Sequence, residues 1–521
     1  MTIRVLFDPE VTVGAIDRRV FGSFVEHMGR SVYEGIYEPD SPQADEDGLR
    51  RDVIDLVREL GVTIVRYPGG NFLSGYDWTD GVGPRAAREP RLDLAWHSLE
   101  TNQFGTDEFL AWCTKAGVEP MLAVNLGSGT LGSAVELLEY CNVQAPSRFA
   151  RQRAANGHAE PYGVRTWCLG NEMDGPWQIG HQSADEYGRK AVEVANAMRL
   201  VDPGIKLVAC GSSGRYMPTF GAWEDRVLEH TYDQVDYISL HQYYDPYEGG
   251  SHDPQSPRHG DTASFLASGA HLESFITEVV ATTDAVKARK RSAKTINLSL
   301  DEWNVWSMSR FHAQPARSTW DVAPRLIEDT YTVADAVVVG DLLISILRHA
   351  DRVQMACQAQ LVNVIAPIRA EVGAPAWRQT IFHPFALTAR HAQATALVTT
   401  VIGPGLTTAA HGEVAQVSAV ATHDPNSGAV AVFLVNRSPD ADAEVELHPR
   451  GGPAGPGVQR TGPGGEPAIT HTAVFDDDLM AVNQQSAPDR VVPRAVPVLA
   501  NQDGVVQLRL PRASWNVVRI G

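Results

Sequence analysis

Two short segments place carboxylates where they could do acid–base or nucleophilic chemistry. The first, TWCLGNEMDGPW over residues 166–177, begins like a buried strand, is broken by a glycine, and continues with Asn171 and Glu172. The second, NLSLDEW over residues 297–303, is also strand-like and carries Glu302 near its end. Two carboxylates can act as an acid/base and a nucleophile, provided that the fold brings them together.

The elements around these glutamates predict a barrel over residues 17–383. Eight apolar runs are typical of strands: RVFGSFVEH, VTIVRYPGG, EPMLAVNLG, TWCLGNE, KLVACGSS, YISLHQYY, NLSLDEW and VQMACQAQL. Between them lie helical patterns such as DGLRRDVIDLVRELG, with apolar residues at three- and four-residue spacing. This alternation predicts an α/β fold, a parallel (β/α)8 TIM barrel. A doubly wound sheet is the alternative, but no GxGxxG or Walker loop follows the first strand.

A second unit is predicted from the change of pattern near residue 384. Residues 384–521 hold short β-rich runs separated by turn residues, which predict a β-sandwich of jelly-roll type. Strands within residues 1–16 are expected to complete it. Residues 449–467, PRGGPAGPGVQRTGPGGEP, are so rich in glycine and proline that we predict an exposed loop there.

Composition excludes several classes of function. The 521 residues carry 44 basic and 63 acidic side chains, a net charge of −19, which argues against a general affinity for nucleic acid or anionic membranes. The five cysteines form no CxxC pair, so neither a zinc module nor a disulfide framework is expected. The start, MTIRVLFDPEVTVG, reaches charged residues before any signal-like apolar run, and no run could span a membrane. A cytoplasmic protein is therefore expected.

The residues that follow the predicted strands suggest the ligand. In a barrel of this kind the C-terminal strand ends meet around one mouth, where chemistry usually takes place. Those ends carry, in chain order, Glu26, Arg66 with Asn71, Asn125, Asn171 with Glu172, Gly211 to Ser213, His241 with Tyr243, Glu302, and Gln360. Amides and hydroxyls predominate, and they suit a ligand rich in hydroxyl groups better than a phosphate or a hydrophobe.

A simple construction estimates the separation of the two glutamates. On the fourth and seventh strands of an eight-stranded barrel, their Cα atoms lie about 14 Å apart across the mouth. Each side chain reaches inward, which leaves about 5 Å between the carboxyl groups. That spacing is near the one found in retaining glycosidases and short of the wider gap in inverting ones. It favours retention without excluding inversion.

Each of these residues, taken alone, has a more ordinary explanation. A strand-end glutamate is more often a helix cap or an ion-pair partner, and Asn171 would more often satisfy a turn. His241 could equally be a structural histidine. The tryptophans that could line a sugar site would more often be core residues; they are Trp96, Trp177 and Trp306. The joint occurrence of polar residues on eight successive strand ends makes coincidence the poorer explanation.

At this point the sequence resembles a known family. GNE after the fourth strand and DEWN after the seventh resemble the signatures of a glycosidase clan that carries its two glutamates on those strands. More specifically, FGSFVEHMGRSVYEGIY, VRYPGGNFLSGYDW, WCLGNEMDGPWQIGH, HQYY, LDEWNVW and QLVNVIAPI resemble glycoside hydrolase family 51, the α-L-arabinofuranosidases that act at non-reducing ends. The resemblance extends to the terminal SWNVVRI and implies a hexamer or other homo-oligomer.

The resemblance implies a role for each candidate. Glu172 would be the general acid/base and Glu302 the nucleophile, with Tyr243 hydrogen-bonded to it and Arg66 favouring its charged form. The negative charge of Glu302 would help Glu172 hold its proton. The hydroxyls of the sugar would be held by Glu26, Asn71, Asn171 and Gln360. The remaining candidates for the substrate pocket are His241, Trp96, Trp177 and Trp306. No cofactor or metal is implied.

We therefore predict a retaining, exo-acting α-L-arabinofuranosidase that acts on oligosaccharides derived from arabinoxylan or arabinan. Three alternatives stay open. An endo-β-glucanase of the same family would need an open groove in place of a closed pocket. A metal-dependent barrel hydrolase is disfavoured, because no HxH follows the first strand and no histidine cluster is predicted at the mouth. A non-catalytic carbohydrate-binding protein would have little reason to keep both Glu172 and Glu302.

Overall fold

A computed structural model describes residues 2–246, 261–450, 469–502 and 504–521. Most of the glycine- and proline-rich stretch, residues 451–467, lies outside the described residues, and so does the loop predicted there. Within the described ranges, no helix combines the length and the apolar character that crossing a membrane requires.

Eight parallel strands form a closed barrel, which confirms the predicted fold class. Around the barrel each strand pairs with its neighbours in chain order, and the seventh pairs with both the sixth and the eighth. The strands are β1 Gly22–Phe24, β2 Ile64–Tyr67, β3 Glu119–Val124, β4 Thr166–Leu169, β5 Lys206–Ala209, β6 Tyr237–Tyr244, β7 Asn297–Val305 and β8 Val353–Gln358. All eight carboxyl ends therefore lie at one mouth.

Helices connect the strands and cover the barrel. They are α1 Arg51–Leu60, α2 Thr106–Ala116, α3 Leu131–Asn142, α4 Arg148–Ala155, α5 Ala184–Val201, α6 Ala222–Thr231, α7 Thr262–Leu266, α8 Ser268–Lys290, α9 Met308–His312, α10 Val333–Arg348 and α11 Phe382–His391. The start of α5 shows why they form where they do: the Ser183 hydroxyl accepts from the Glu186 N–H, and the Glu186 carboxylate accepts from the Ser183 N–H. The predicted unit boundary at residue 384 falls inside α11.

Short 3₁₀ turns and small strand pairs lie at the mouth and in the connections. The 3₁₀ turns are Arg18–Val20, Asn71–Gly75, Trp78–Gly81 and Arg85–Ala87. Three small antiparallel pairs also occur: Arg91–Asp93 with Ser98–Glu100, Ile368–Arg369 with Trp377–Arg378, and Gly405–Thr408 with Gly412–Ala415. The first of these pairs carries Trp96 at its turn, beside the barrel mouth.

The second unit is a mixed sheet in which the described residues contribute ten strands. Its first strand, Ile3–Ala15, runs antiparallel to Thr395–Ile402 and parallel to Ala443–Pro449, so the N-terminus lies inside this sheet. The other strands are Val417–His423, Val430–Asn436, Ile469–Val474, Arg494–Ala495, Ala500–Gln502, Val505–Leu510 and Ser514–Ile520. Alternate apolar residues of seven strands share one core, which indicates that the sheet curls around its own interior.

Helix α10 joins the two units. It packs on barrel strands and on the sheet, and Gly340 lies so close to Trp515 that an added Cβ would stand 2.0 Å from the Trp515 ring. Beside it, Arg437 of the sheet donates to both carboxylate oxygens of Asp341 at 3.0 Å, in a pair that is almost fully buried. The opposite face of the sheet therefore packs against the barrel through apolar contacts and this buried ion pair.

Candidate active site

A cavity of about 850 Å³ opens at the C-terminal ends of the barrel strands. Both predicted catalytic carboxylates, Glu172 and Glu302, line it. So do seven further predicted residues: Glu26, Asn71, Trp96, Trp177, Tyr243, Trp306 and Gln360. The remaining three candidates, Arg66, Asn171 and His241, lie behind this lining and hold it by hydrogen bonds.

Glu302 lies in β7, and both of its carboxylate oxygens are held. Arg66 Nη1 donates to Oε1 at 2.8 Å, and the Tyr243 hydroxyl donates to Oε2 at 2.8 Å. Burial by itself would raise the pKa of Glu302, but the charges of His241 and Arg66, with the hydrogen bonds from Arg66 and Tyr243, bring it below its ordinary value. The site therefore keeps this carboxylate ionised, as a nucleophile requires.

Glu172 follows β4 in the left-handed region of backbone space, with φ of 45°. Gly170, which breaks the strand before it, also has positive φ. The two oxygens of Glu172 face different donors: His241 Nδ1 lies 3.0 Å from Oε1, and the Trp177 indole nitrogen donates to Oε2 at 2.8 Å. The sharp turn thus aims the Glu172 carboxyl group across the mouth towards Glu302.

The two carboxyl groups lie close together. An oxygen of Glu172 stands within 4.8 Å of an oxygen of Glu302, against the separation of about 5 Å estimated from barrel geometry. His241 lies between them, with Nδ1 3.6 Å from Oε2 of Glu302. Burial lowers the pKa of His241, and the charges of Glu302 and Glu172 outweigh that effect and raise it.

Two groups of side chains could be considered for a metal among the described residues. Asp45, Glu46 and Asp47 are close together, but the Lys115 ammonium already lies 2.6 Å from Asp45 and from Asp47. In the other group, Glu172, His241 and Glu302 offer three ligand atoms, and the Arg66 guanidinium is paired with the Glu302 carboxylate. The Tyr243 hydroxyl and the Trp177 indole also donate to these two carboxylates.

A third carboxylate, that of Glu26 two residues after β1, forms a polar corner of the cavity. Its Oε1 accepts from the Phe72 N–H at 3.0 Å and from the Trp96 indole at 2.6 Å, and its Oε2 accepts from the Gln360 amide at 3.2 Å. Burial raises the pKa of Glu26 well above its ordinary value, although the Phe72 N–H opposes that rise. Gly70 makes this corner possible, because any Cβ there would stand 2.1 Å from the Glu26 carboxylate.

The two asparagines are hydrogen-bonded to each other, and Asn171 is also bonded to Arg66. Arg66 Nη2 donates to Asn171 Oδ1 at 2.7 Å, and Asn171 Nδ2 donates to Asn71 Oδ1 at 3.3 Å. The backbone carbonyl of Asn171 accepts from the Gln178 side chain at 2.5 Å. One guanidinium thus fixes both the Glu302 carboxylate and the amide that precedes Glu172.

All three candidate tryptophans lie at the cavity, each with a different contact. Trp96 donates to Glu26, Trp177 donates to Glu172, and Trp306 packs edge-on against Tyr243 with ring centroids 5.2 Å apart. Trp177 is the most exposed of the three, at 46%. Two of the three therefore present an apolar face and a committed N–H group, rather than the packing of a core residue.

The predicted strand-end residues Asn125, Gly211 and Ser212 do not line the cavity, and part of the lining was not predicted. Asn125 after β3 turns away to the Tyr76 carbonyl and to the N–H groups of Gly127 and Gly129, so it closes a loop instead. The outer wall comes from long connections that carry little periodic signal. Ser213, predicted at the end of β5, lines the cavity; the lining residues that were not predicted are Phe24, Met28, Gly70, Ala95, His97, Tyr216, Met308, Phe311, His312, Gln314 to Arg317, Leu326, Ile327 and Ile365.

Asp174, two residues after Glu172, is a further residue that the sequence reasoning missed. Its carboxylate accepts from the N–H and the hydroxyl of Ser213, a residue of the cavity wall. Burial raises the pKa of Asp174 to about 7, against the lowering effect of Ser213. The only sequence signal was its place in GNEMD, beside the predicted acid/base.

Paired carboxylates at this separation, set among amides in a barrel mouth, define the chain as a glycoside hydrolase. The family follows from comparison with known proteins. Two family models match: the Alpha-L-arabinofuranosidase 1 domain over residues 56–251 and the Alpha-L-arabinofuranosidase C-terminal domain over residues 301–514. The chain belongs to glycoside hydrolase family 51, the α-L-arabinofuranosidases, as its motifs predicted.

Relatives and solved structures agree with that assignment. The intracellular exo-α-(1→5)-L-arabinofuranosidase of Streptomyces lividans is 51% identical over 520 residues, which cover 99% of this chain and 75% of the relative. The exo-α-(1→6)-L-arabinofuranosidase of Bifidobacterium longum is 48% identical over 528 residues, or 99% and 97% of the two chains. The structure of a family 51 α-L-arabinofuranosidase from Bifidobacterium longum superposes with a TM-score of 0.92 at 44% identity, covering 100% and 99% of the two chains.

Proposed function

We propose that this chain is an intracellular, exo-acting α-L-arabinofuranosidase that removes terminal non-reducing α-L-arabinofuranosyl residues with retention of configuration. The observation that carries the mechanism is the approach of Glu172 and Glu302 oxygens to within 4.8 Å. A gap of this size admits a sugar carbon bonded to one carboxylate, and it is too narrow for the wider arrangement of an inverting enzyme, in which a water stands between base and sugar.

In the first step, an oxygen of Glu302 attacks the anomeric carbon while Glu172 gives its proton to the leaving glycosidic oxygen. The bond to the leaving group breaks as the bond to Glu302 forms, and a glycosyl ester results. Arg66 and Tyr243 hold Glu302 in place and keep it ionised until the attack. Forming the ester removes the negative charge of Glu302 from the site.

In the second step, water replaces the leaving group and Glu172 acts as the base. It accepts a proton from the water as the oxygen attacks the anomeric carbon, and Glu302 leaves as a carboxylate. Two displacements on the same carbon restore the starting configuration. His241 lies 3.0 Å from Glu172 and 3.6 Å from Glu302. It can therefore interact with whichever of the two carboxylates is ionised at each step.

The polar corner around Glu26 supports an exo-acting enzyme. Glu26 is buried, and the Phe72 N–H and the Trp96 indole fix the orientation of its carboxylate. A carboxylate held in this way can bind the hydroxyl groups of a sugar at the end of a chain. Gln360 and Asn71 line the same cavity, and their side-chain amides offer both hydrogen-bond donors and acceptors. A β-glucan chain that continues in both directions would require a groove that is open on either side of the carboxylates.

The substrates we propose are oligosaccharides derived from arabinan or arabinoxylan. Relatives are named for α-(1→5) and for α-(1→6) linkages, and the cavity volume of about 850 Å³ leaves room for a leaving group beside one pentose.

Proton NMR of the reaction with an α-1,5-linked arabinotriose tests the proposal. We expect arabinose as the first product, released as the α-anomer before mutarotation, with arabinobiose as the other fragment. First appearance of the β-anomer would contradict retention. A β-glucan that is cut internally, together with an untouched arabinotriose, would replace the proposal by the endo-glucanase alternative, and binding of either sugar without turnover would favour the carbohydrate-binding alternative.

A further inference from the structure

Both carboxylate oxygens of Glu172 have nitrogen partners, and these partners differ greatly in burial. His241 stands at Oε1 and is deeply buried between Glu172 and Glu302. Trp177 stands at Oε2, lines the cavity and is 46% exposed. Glu172 is thus contacted by the buried His241 side chain inside the barrel and by the half-exposed Trp177 ring on the cavity side.

This arrangement conflicts with the task of a general acid. An N–H that donates to a carboxylate stabilises its ionised form, whereas an acid must carry a proton on an oxygen that faces the glycosidic oxygen. That oxygen of the leaving group needs a place within hydrogen-bond reach of Glu172. Since His241 is enclosed by the barrel and Trp177 borders open space, the contact that can give way is the one with Trp177.

We propose that the indole N–H of Trp177 is a displaceable cap on Oε2 of Glu172, and that the leaving group of a bound substrate takes its place. Trp177 is then a positioning residue: its N–H occupies Oε2 of Glu172 in the empty enzyme and leaves that oxygen to the glycosidic oxygen once a leaving group has entered. The inference rests on the proposed function, because it assigns Glu172 the role of acid.

Gly175 provides the space in which the Trp177 ring lies, and this space is called its seat below. Gly175 lies under Trp177, and an added Cβ there would stand 2.5 Å from Cε2 and 3.0 Å from Nε1 of the indole. The turn itself is fixed independently, by the Gly175 N–H on the Glu172 carbonyl at 2.9 Å and the Gln178 N–H on the Gly175 carbonyl at 3.0 Å. The ring can therefore move while the turn that carries Glu172 stays in place.

The other ionisable groups around Glu172 come from several elements. They are Asp174 on the same turn, Tyr216 after β5, His241 and Tyr243 on β6, and Glu302 on β7. Replacement of the Trp177 indole by a phenyl ring changes none of these groups. A change in the pH dependence of Trp177→Phe thus reports the lost N–H on Glu172.

The test compares Trp177→Phe with Trp306→Phe on nitrophenyl α-L-arabinofuranoside and on α-1,5-arabinobiose. Trp306 is a matched control, since it lines the same cavity and its indole N–H has no hydrogen-bond partner among the described residues. The alkaline limb of kcat/KM reports proton loss from the acid of the free enzyme, and that of kcat reports it in the complex.

For Trp177→Phe we expect the alkaline limb of kcat/KM to move to higher pH, while the alkaline limb of kcat stays where it is in the wild type. One pH unit above the wild-type midpoint, the variant should keep an about threefold larger share of its maximal kcat/KM. Trp306→Phe should leave both midpoints unmoved. Gly175→Ala, which retains the indole but blocks its seat, should shift kcat/KM in the same direction as Trp177→Phe.

Two results would overturn the inference. If the alkaline limb of kcat/KM did not move in Trp177→Phe, the Trp177 N–H would have no effect on Glu172 and the ring would serve only as a contact surface. A kcat that falls more for arabinobiose than for the nitrophenyl substrate would mean that the N–H acts in the transition state and is not displaced. If the wild type hydrolyses neither substrate, the proposed function itself is wrong and the inference falls with it. This outcome is distinguishable from the two above, which both require an active wild type.

Discussion

Arg66 and Glu302 form an almost fully buried ion pair, with Nη1 2.8 Å from Oε1, beneath the cavity at the barrel mouth. The same guanidinium holds Asn171 at 2.7 Å and stands 4.0 Å from Asp301, the residue before Glu302. One cation therefore neutralises the acidic floor of the site and ties the end of β4 to β7.

Replacement of Arg66 by methionine should damage both stability and catalysis. The change leaves the Glu302 charge buried without its partner, a situation that typically costs about 3–5 kcal/mol. Arg66→Lys retains a charge but cannot serve Glu302 and Asn171 at once, so it should lose activity with a smaller loss of stability. Thermal unfolding and kcat/KM of both variants check this, and a methionine variant with wild-type Tm would show that the pair is unimportant for the fold.

Tyr243 should set the acid limb of the pH profile. Its hydrogen bond is among the contacts that lower the pKa of Glu302, so the nucleophile stays ionised above that pKa and loses activity as the pH falls through it. Tyr243→Phe removes a lowering contact and should move the acid limb of kcat/KM to higher pH, with kcat reduced about tenfold or more. Tyr244→Phe is the control, because that hydroxyl faces His271 instead. Equal limbs in the two variants would contradict the account.

The Glu172 variants should depend on the leaving group. Glu172→Ala cannot protonate the departing oxygen, so kcat/KM should fall about 10²–10⁴-fold for arabinobiose. The loss in the first step should be much smaller for a nitrophenyl substrate, since nitrophenolate leaves without help. Glu172→Gln, which preserves the shape of the side chain, should behave alike. Equal losses for both substrates would remove Glu172 from the acid role.

The junction between the two units is testable through Gly340. Gly340→Ala forces a Cβ against the Trp515 ring and should destabilise the protein by about 1–3 kcal/mol, the usual cost of overpacking. Gly132→Ala is the matched control: this exposed glycine of α3 has its nearest neighbouring atom 3.6 Å from an added Cβ, so alanine should stabilise the helix by about 0.5–1 kcal/mol. Opposite shifts of Tm are expected, and a Gly340→Ala Tm at or above that of the wild type would contradict the close packing.

The sequence was sufficient for the barrel and its carboxylates because both depend on short-range patterns. Alternating apolar runs and amphipathic helices define a (β/α)8 barrel, and the residues after its strands must then face one mouth. The estimate of about 5 Å between carboxyl groups followed from barrel geometry and the length of a glutamate side chain, and the structure gives oxygens within 4.8 Å. Element ends show the limit: the helical pattern DGLRRDVIDLVRELG begins at Asp47, whereas α1 begins at Arg51.

The outer wall of the cavity could not be predicted, for a physical reason. Met308, Phe311 and Arg317 lie in the long connection between β7 and α10, whose path depends on packing against distant residues. The contact between Leu99 and Asp321, which joins the hairpin carrying Trp96 to that connection, is one such non-local bond. The direction of the Trp177 ring likewise depends on the close approach of Gly175, which no periodicity reveals. The predicted homo-oligomer stays a prediction.

The most direct test of the mechanism is hydrolysis of nitrophenyl α-L-arabinofuranoside by the wild type and by Glu302→Ala, the variant with and without azide. We expect an active wild type, a variant with no measurable turnover, and rescue by azide that yields the β-L-arabinofuranosyl azide, of inverted configuration. Azide then fills the space of the missing carboxylate and attacks the same carbon from the same face. A Glu302→Ala variant that retains substantial activity without azide would contradict the assignment of Glu302 as the nucleophile.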